Sequence, residues 1–404
     1  MSMPADIVIT GVGAVTPLGI GADASWEALV SGRCGIGPIT SIDTSSLPVG
    51  RAGEVRDFRP REHMSTKLSL DLEPYMQYAW VAALEAVRQS GLASFGDRVG
   101  VVMASALSGI NVISDTSASL ASDGRAAGPK FLTKAMANIA AAHLCIHFGM
   151  TGPCMTVSTA CSSGGDAVTL ASMFLRSGRA DAMVVMAGEE AVCPTMIQSL
   201  VKAGALSKTG ESLPFDRKRS GFVLGSGGGA VVLETAEHAR SRNAAILADL
   251  SGSANNSDAY NPVSPDPEGR GIEACMHLAL KDACLDPSAI GYVNAHGTAT
   301  LQGDVAESRA IGKVFGKAPL HVSSTKGATG HMMGAGGLIE LIFCILAVSR
   351  GILPPNTGCT EQDPACPVTL VPGPGFVCPV DYAMSDSMGF GGQNSCIIIG
   401  KHKE

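Results

Sequence analysis

The chain has 404 residues, of which 46% are hydrophobic, 16% charged and 4% aromatic, with 49 glycines. That length suits two domains or two similar halves around one core, and so few charges point to surface hidden against a partner chain. A net charge of −7 without a Lys/Arg run argues against a nucleic-acid binder, and the N-terminus lacks a signal pattern, so a cytoplasmic protein is expected.

In chain order, a strand is predicted over 6–10 and helices near 25–31 and over 77–90. A strand over 99–104 follows, then helices over 136–148 and 164–176. Strands over 182–187 and 229–233 precede a helix over 271–283, and a strand over 292–295 precedes helices over 305–315 and 337–349. Strands alternating with helices predict buried sheets in an α/β layered fold. The apolar run 337–348 is too short for a bilayer and contains Glu340, so no membrane span is expected. Residues 159–170 and 329–341 form a coarse echo, each passing from small residues into a Gly-rich helix start. A division near Leu250 separates the halves.

Twelve cysteines are scattered without a CxxC pair, so most are expected to be small buried hydrophobes, not disulfides or zinc ligands. His143 and His147 stand one helical turn apart in an apolar helix without a zincin glutamate. Core packing is expected there, and no metal.

Cys161 differs from the other cysteines. It lies in Thr159-Ala160-Cys161-Ser162-Ser163-Gly164, where a helix start offers backbone N–H groups and a dipole that favour a thiolate. His296 in Asn294-Ala295-His296-Gly297-Thr298 and His331 in Gly330-His331 have similar small, Gly-rich surroundings. One thiol and two imidazoles describe cysteine-based acyl transfer: the thiol carries the acyl group, and the imidazoles donate to an enolate oxygen. Gly389-Phe390-Gly391-Gly392 lets the backbone approach a ligand and supply a second oxyanion donor.

These motifs, with Thr325-Lys326, Pro214-Phe215-Asp216 and Gly221-Phe222-Val223-Leu224-Gly225, occur in the order of β-ketoacyl-acyl carrier protein synthases, and the chain resembles the synthase II type throughout. The resemblance implies a thiolase-like αβαβα fold of two halves, 1–250 carrying the cysteine and 251–404 carrying both histidines. It implies decarboxylative Claisen condensation of a Cys161-bound acyl chain with malonyl carrier protein, giving a 3-oxoacyl carrier protein and CO2. By the same resemblance, Lys326 and Glu340 orient the site, with a plain structural salt bridge as their other reading, and Phe390 and Gly391 form the gate and oxyanion donor, with core packing as the other reading of Phe390. Thr298 and Thr300 hold the pantetheine arm, with turn capping as the other reading of both threonines. Leu107, Leu200 and Met388 border the acyl chain. No cofactor or metal is implied beyond the phosphopantetheine of the carrier protein.

The sequence departs from that pattern in places. The usual Asn-Ser-Phe-Gly-Phe-Gly-Gly-Thr-Asn reads Asp386-Ser387-Met388-Gly389-Phe390-Gly391-Gly392-Gln393-Asn394. The segment before Gln77-Tyr78 carries Lys67 against Asp71 and Glu73, so an acidic carrier finds little attraction there. Arg125, Lys130, Lys202 and Arg217-Lys218-Arg219 are candidates to compensate, as is a partner subunit. Two pathways therefore stay open: fatty-acid elongation by a homodimer, and a type II polyketide or polyene synthase pairing with a chain-length-factor subunit.

Other classes fit less well. A dinucleotide site at Gly11-Val12-Gly13 has Thr16 where its third glycine belongs. A non-catalytic chain-length partner would lack Cys161, and a cysteine protease does not account for two histidines.

Overall fold

A computed structural model describes residues 6–316 and 318–403. Strands β1 (Ile7–Thr16), β2 (Val99–Ala104), β3 (Cys154–Val157), β4 (Ala182–Glu189) and β5 (Gly227–Thr235) belong to the first half. Strands β6 (Ala248–Ser257), β7 (Ile290–Asn294), β8 (His321–Ser323), β9 (Tyr382–Gly389) and β10 (Gln393–Gly400) belong to the second. Across the sheet they run β8-β7-β9-β10-β6-β1-β5-β4-β2-β3. Each half therefore repeats one order, third-second-fourth-fifth-first. The halves join where β1 meets β6 antiparallel, Ile9 opposite Ala248. The parallel and antiparallel pairings repeat as well. A division at 250 falls inside β6.

Helices complete the layers. Helix α1 (Pro74–Ser90) covers β1, β5 and β4 on one outer face, while α3 (Arg270–Asp282) covers β6 and β10 on the other, with α4 (Gly303–Phe315) beside it. Between the half-sheets lie α2 (Ser163–Arg176) and α5 (Met333–Arg350), which touch strands of both halves and each other. The result is the αβαβα arrangement. Layers on both faces explain why β1 and β4 are buried along their whole length. Position in the central layer explains why α5 is buried from Met333 to Val348 with no polar stripe. α5 is longer than the sequence pattern indicated, and its length and composition would allow it to cross a membrane. Here it is the core helix.

Some expectations need correction. The strand expected over 6–10 runs on to Thr16, with Gly11 and Gly13 inside it. A Cβ on either would stand 2.0 Å from a carbonyl oxygen of α1, Ala86 for Gly11 and Ala82 for Gly13. Close packing of strand on helix, with no phosphate-binding turn, explains both glycines. Strands β3, β6, β8 and β9 carry no long apolar run and were not predicted; β10 does carry one, Cys396-Ile397-Ile398-Ile399, and was missed all the same. β6 (ADLSGSANNS) and β9 (YAMSDSMG) carry small polar residues, several of which serve the buried polar network below. The serine-rich helix Ile110–Asp123 buries none of its residues and was not expected. His147 is exposed and packs edge-on against Trp80 at 5.2 Å, while His143 is half-buried, so neither is a core residue. All twelve cysteines are free thiols and six of them are buried.

Candidate active site

The nucleophile turn is built by local hydrogen bonding ahead of α2. Asp166 in the first turn accepts from Thr159 Oγ1 at 2.5 Å, Ser162 Oγ at 2.9 Å and Asn255 Nδ2 at 3.2 Å. These bonds hold Ala160 in the left-handed region at φ 52, a strained conformation for alanine that presents Cys161 at the turn. Gly164 lets α2 cross α5, since a Cβ there would meet the Leu338 nitrogen at 2.5 Å. His331 stands two residues ahead of α5, as Cys161 stands two ahead of α2.

That crossing brings the two halves' chemistry together. His331 Nε2 lies 3.0 Å from Cys161 Sγ, and the His296 and His331 rings meet edge-on with centroids 5.4 Å apart. The three reactive atoms fall within 4.8 Å of one another, all buried. A thiol and two imidazoles could also hold zinc. Two donors on one tetrahedral zinc, however, would stand about 3.6 Å apart at ordinary ligand distances. The 3.0 Å contact is a hydrogen-bond separation.

The β9–β10 hairpin closes over the sulfur. Gly391 and Gly392 turn it at φ 91 and φ 72, and Gly389 passes so close that a Cβ would lie 2.8 Å from Thr159 O. The Phe390 N–H is thereby brought to the Cys161 side of the hairpin, where it favours the sulfur anion. Burial pushes the Cys161 thiol up to about 12, opposed by the Lys326 charge and the Phe390 amide. The thiolate expected from the helix start is therefore not the resting form, because desolvation outweighs the helix end. His331 Nε2 is placed to take the proton.

Both imidazoles are neutral near pH 7. Burial, and then the Lys326 charge, hold His296 and His331 well below the usual histidine range. Lys326 is buried and ion-paired with Glu340, whose own carboxyl burial raises to about 7. A neutral ring donates one N–H without bringing a charge, which suits an oxygen that becomes negative during reaction.

A cavity of about 390 Å³ leads to these groups and is lined by Thr298, Thr300, Met388 and Phe390 among others. Thr298 and Thr300 hydroxyls pair at 3.2 Å, and Thr300 Oγ1 also accepts from the Gly303 N–H at 3.2 Å, so Thr300 caps its turn while facing the cavity. Gly391 is exposed on the hairpin outside the lining. Leu107 and Leu200 do not line the cavity either. They pack in an apolar cluster with Cys161, Ile197, Phe222 and Met333, the last two of which also line the cavity.

Charge pairing alters the expected carrier face. Asp71 and Glu73 are held by Lys130 and Lys134. Arg217 pairs with Glu361, and Arg219 is buried against Asp304 and Asp363, so Arg219 is not a docking residue.

Three buried carboxyls escaped the sequence reading as site residues. Glu189 accepts from the Ala106, Leu107 and Gly334 amides and so ties the segment bordering the cluster to α5. Glu307 and Asp386 both accept from the His296 amide, at 2.6 and 2.7 Å. Glu307 had a signal: Asp304, Glu307 and Ile311 follow helical spacing, so acids occupy the stripe of α4 that should be apolar.

Sequence models of the β-ketoacyl synthase N-terminal and C-terminal domains match residues 5–239 and 247–360. The chain belongs to the β-ketoacyl synthase family. Among curated relatives, the 3-oxoacyl-[acyl-carrier-protein] synthase 2 of Coxiella burnetii is 37% identical across 98% of both chains. The protein of the same name from Staphylococcus aureus is 36% identical across 99% of both. In structure, the β-ketoacyl synthase fold described here matches the ishigamide ketosynthase/chain length factor at TM-score 0.92 and 32% identity, over 99% of this chain and 100% of that one. A type II polyketide ketosynthase solved with its acyl-carrier protein matches at TM-score 0.90 and 29% identity, with the same coverage.

Proposed function

We propose that this β-ketoacyl synthase extends a Cys161-bound acyl chain by decarboxylative condensation with malonyl carrier protein, in fatty-acid elongation. The observation that carries this reading is the buried cluster of one thiol and two neutral imidazoles at the end of a cavity. Cys161 attacks the incoming acyl thioester as His331 takes its proton and the Phe390 N–H donates to the thioester oxygen; the acyl–pantetheine C–S bond breaks, and the departing carrier thiolate takes the proton back from His331, which returns to neutral. The carrier's pantetheine arm lies along Thr298 and Thr300. Malonyl carrier protein then loses CO2 while His296 and His331 donate to the enolate oxygen, and the carbanion attacks the acyl-Cys161 carbonyl; the C–S bond to Cys161 breaks, the 3-oxoacyl carrier protein leaves, and the Cys161 thiolate takes up a proton to regenerate the thiol. Lys326 and Glu340 hold the electrostatics of the pair, and Leu107, Leu200 and Met388 border the acyl chain. No metal takes part in this reading, and the enzyme is placed in the cytoplasm.

A second reading, a ketosynthase subunit of a type II polyketide or polyene synthase, is favoured by Met388 beside the gate and by the likeness to such ketosynthases. In either case a second chain, like or related, is expected along β3. That edge strand is exposed and apolar at Met155, near exposed Ile146. Purified chain alone, assayed with malonyl and saturated acyl carrier proteins, separates the pathways. Turnover across saturated chains as a homodimer supports elongation, whereas activity only after a related subunit is added supports the second reading.

A further inference from the structure

We propose that Glu307 and Asp386 work as one carboxyl pair that shares a single proton and, through the His296 amide, sets where the His296 ring stands. The inference rests on the reading of His296 as an enolate donor.

One N–H cannot neutralise two anions. The His296 amide points between Glu307 Oε1 at 2.6 Å and Asp386 Oδ1 at 2.7 Å, and Glu307 Oε2 also accepts from the Gly297 amide at 2.8 Å. Both carboxyls are fully buried, at 1% exposure or less. Two ionised carboxyls meeting at one amide away from water repel each other strongly, and a proton between them removes that cost. Burial first, and then the neighbouring acid, raises Glu307 well above its usual value, and burial raises Asp386 to about 6. Around pH 7 the pair therefore holds one proton and one charge.

The neighbours support this count. Lys326 faces the pair and favours its remaining charge, while Glu340 on α5 and Asp304 on α4 oppose a second one. Cys344 on α5 and Cys396 on β10 also face it, and burial keeps both as thiols. His296 itself is held neutral. The two acids come from different elements, α4 and β9, and close on the loop leaving β7. They are positioning residues, since neither faces the cavity.

The pair also explains the unusual residue at the head of the hairpin motif. An asparagine there would donate permanently to Glu307, whereas Asp386 makes the same contact only while the pair keeps its proton.

Infrared difference spectra of the full chain test the proton directly. At pH 7 the wild-type-minus-variant spectrum is expected to show one protonated-carboxyl band for both D386N and E307Q, apart from any band of Glu340 common to all three proteins. No such difference band with either variant, or a pair found doubly ionised, overturns the proposal. Decarboxylation of malonyl carrier protein tests the positioning. D386L should lower kcat about tenfold or more with KM within about twofold, because the ring moves while carrier contacts remain. D386N should recover most of that loss. A change in KM alone, or no recovery by D386N in folded protein, overturns it. The infrared result stands whether or not His296 is catalytic, so failure of the enolate reading, seen as full decarboxylation by H296A, is told apart.

Discussion

His331 Nε2 reaches the Cys161 sulfur at 3.0 Å although the two residues are 170 positions apart. The contact exists because α2 and α5 cross at Gly164, each helix starting just beyond one of the two residues. Replacing Gly164 by alanine puts a methyl 2.5 Å from the Leu338 nitrogen. The helices must separate, so Gly164→Ala should cost about 1–3 kcal/mol in denaturant unfolding and reduce turnover more than carrier binding. Wild-type stability and rate would show that the crossing tolerates a side chain.

Cys161→Ala should abolish acyl transfer and chain extension while malonyl carrier protein is still decarboxylated, because the imidazoles serve that step. His296→Ala or His331→Ala should each slow CO2 release by about 10²–10³, the usual loss for one oxyanion donor. Parallel assays of CO2 and extended product check both. Chain extension by Cys161→Ala would contradict the nucleophile assignment.

The buried thiol, pushed up to about 12, should be slow to alkylate in the resting enzyme. Iodoacetamide at pH 8 is expected to label exposed Cys34, Cys154 and Cys284 before Cys161. Lys326→Ala removes the positive charge that favours the anion and should slow Cys161 labelling further. Mass mapping of the adducts follows each site, and fast Cys161 labelling at neutral pH would count against a protonated resting thiol.

His296 and His331 are neutral in the fold because burial and Lys326 depress their proton affinity. Below pH 6.5 the unfolded chain binds protons that the folded chain refuses. Their contribution to stability is therefore full above that pH and lost as pH falls beneath it, by up to about 1.4 kcal/mol per pH unit for each ring. Denaturant midpoints at pH 7.5 and 5.5 should converge in His331→Asn relative to wild type. Imidazole NMR signals of both rings should not titrate between pH 8 and 6.

Much of the site was legible along the chain. Cys161, His296 and His331 announced themselves because each reactive side chain sits among small residues that tight turns require, and such turns leave local sequence marks. Apolar runs such as β2 and β4 were equally clear, since burial on both faces leaves no polar alternation. The polar strands β6 and β9 were not legible, because serine, asparagine and aspartate read as loop until their buried partners are known.

By itself the amino-acid order determined the turns and most of the buried helices, which follow from short-range sterics and hydrophobic patterning, and its motifs singled out the candidate reacting groups. Only the tertiary structure decided the protonation states. Burial made Cys161 a thiol, kept both imidazoles neutral and set Glu307 against Asp386 around one amide. Proton affinity depends on distance to charges and to water, and those distances arise between residues far apart in the chain.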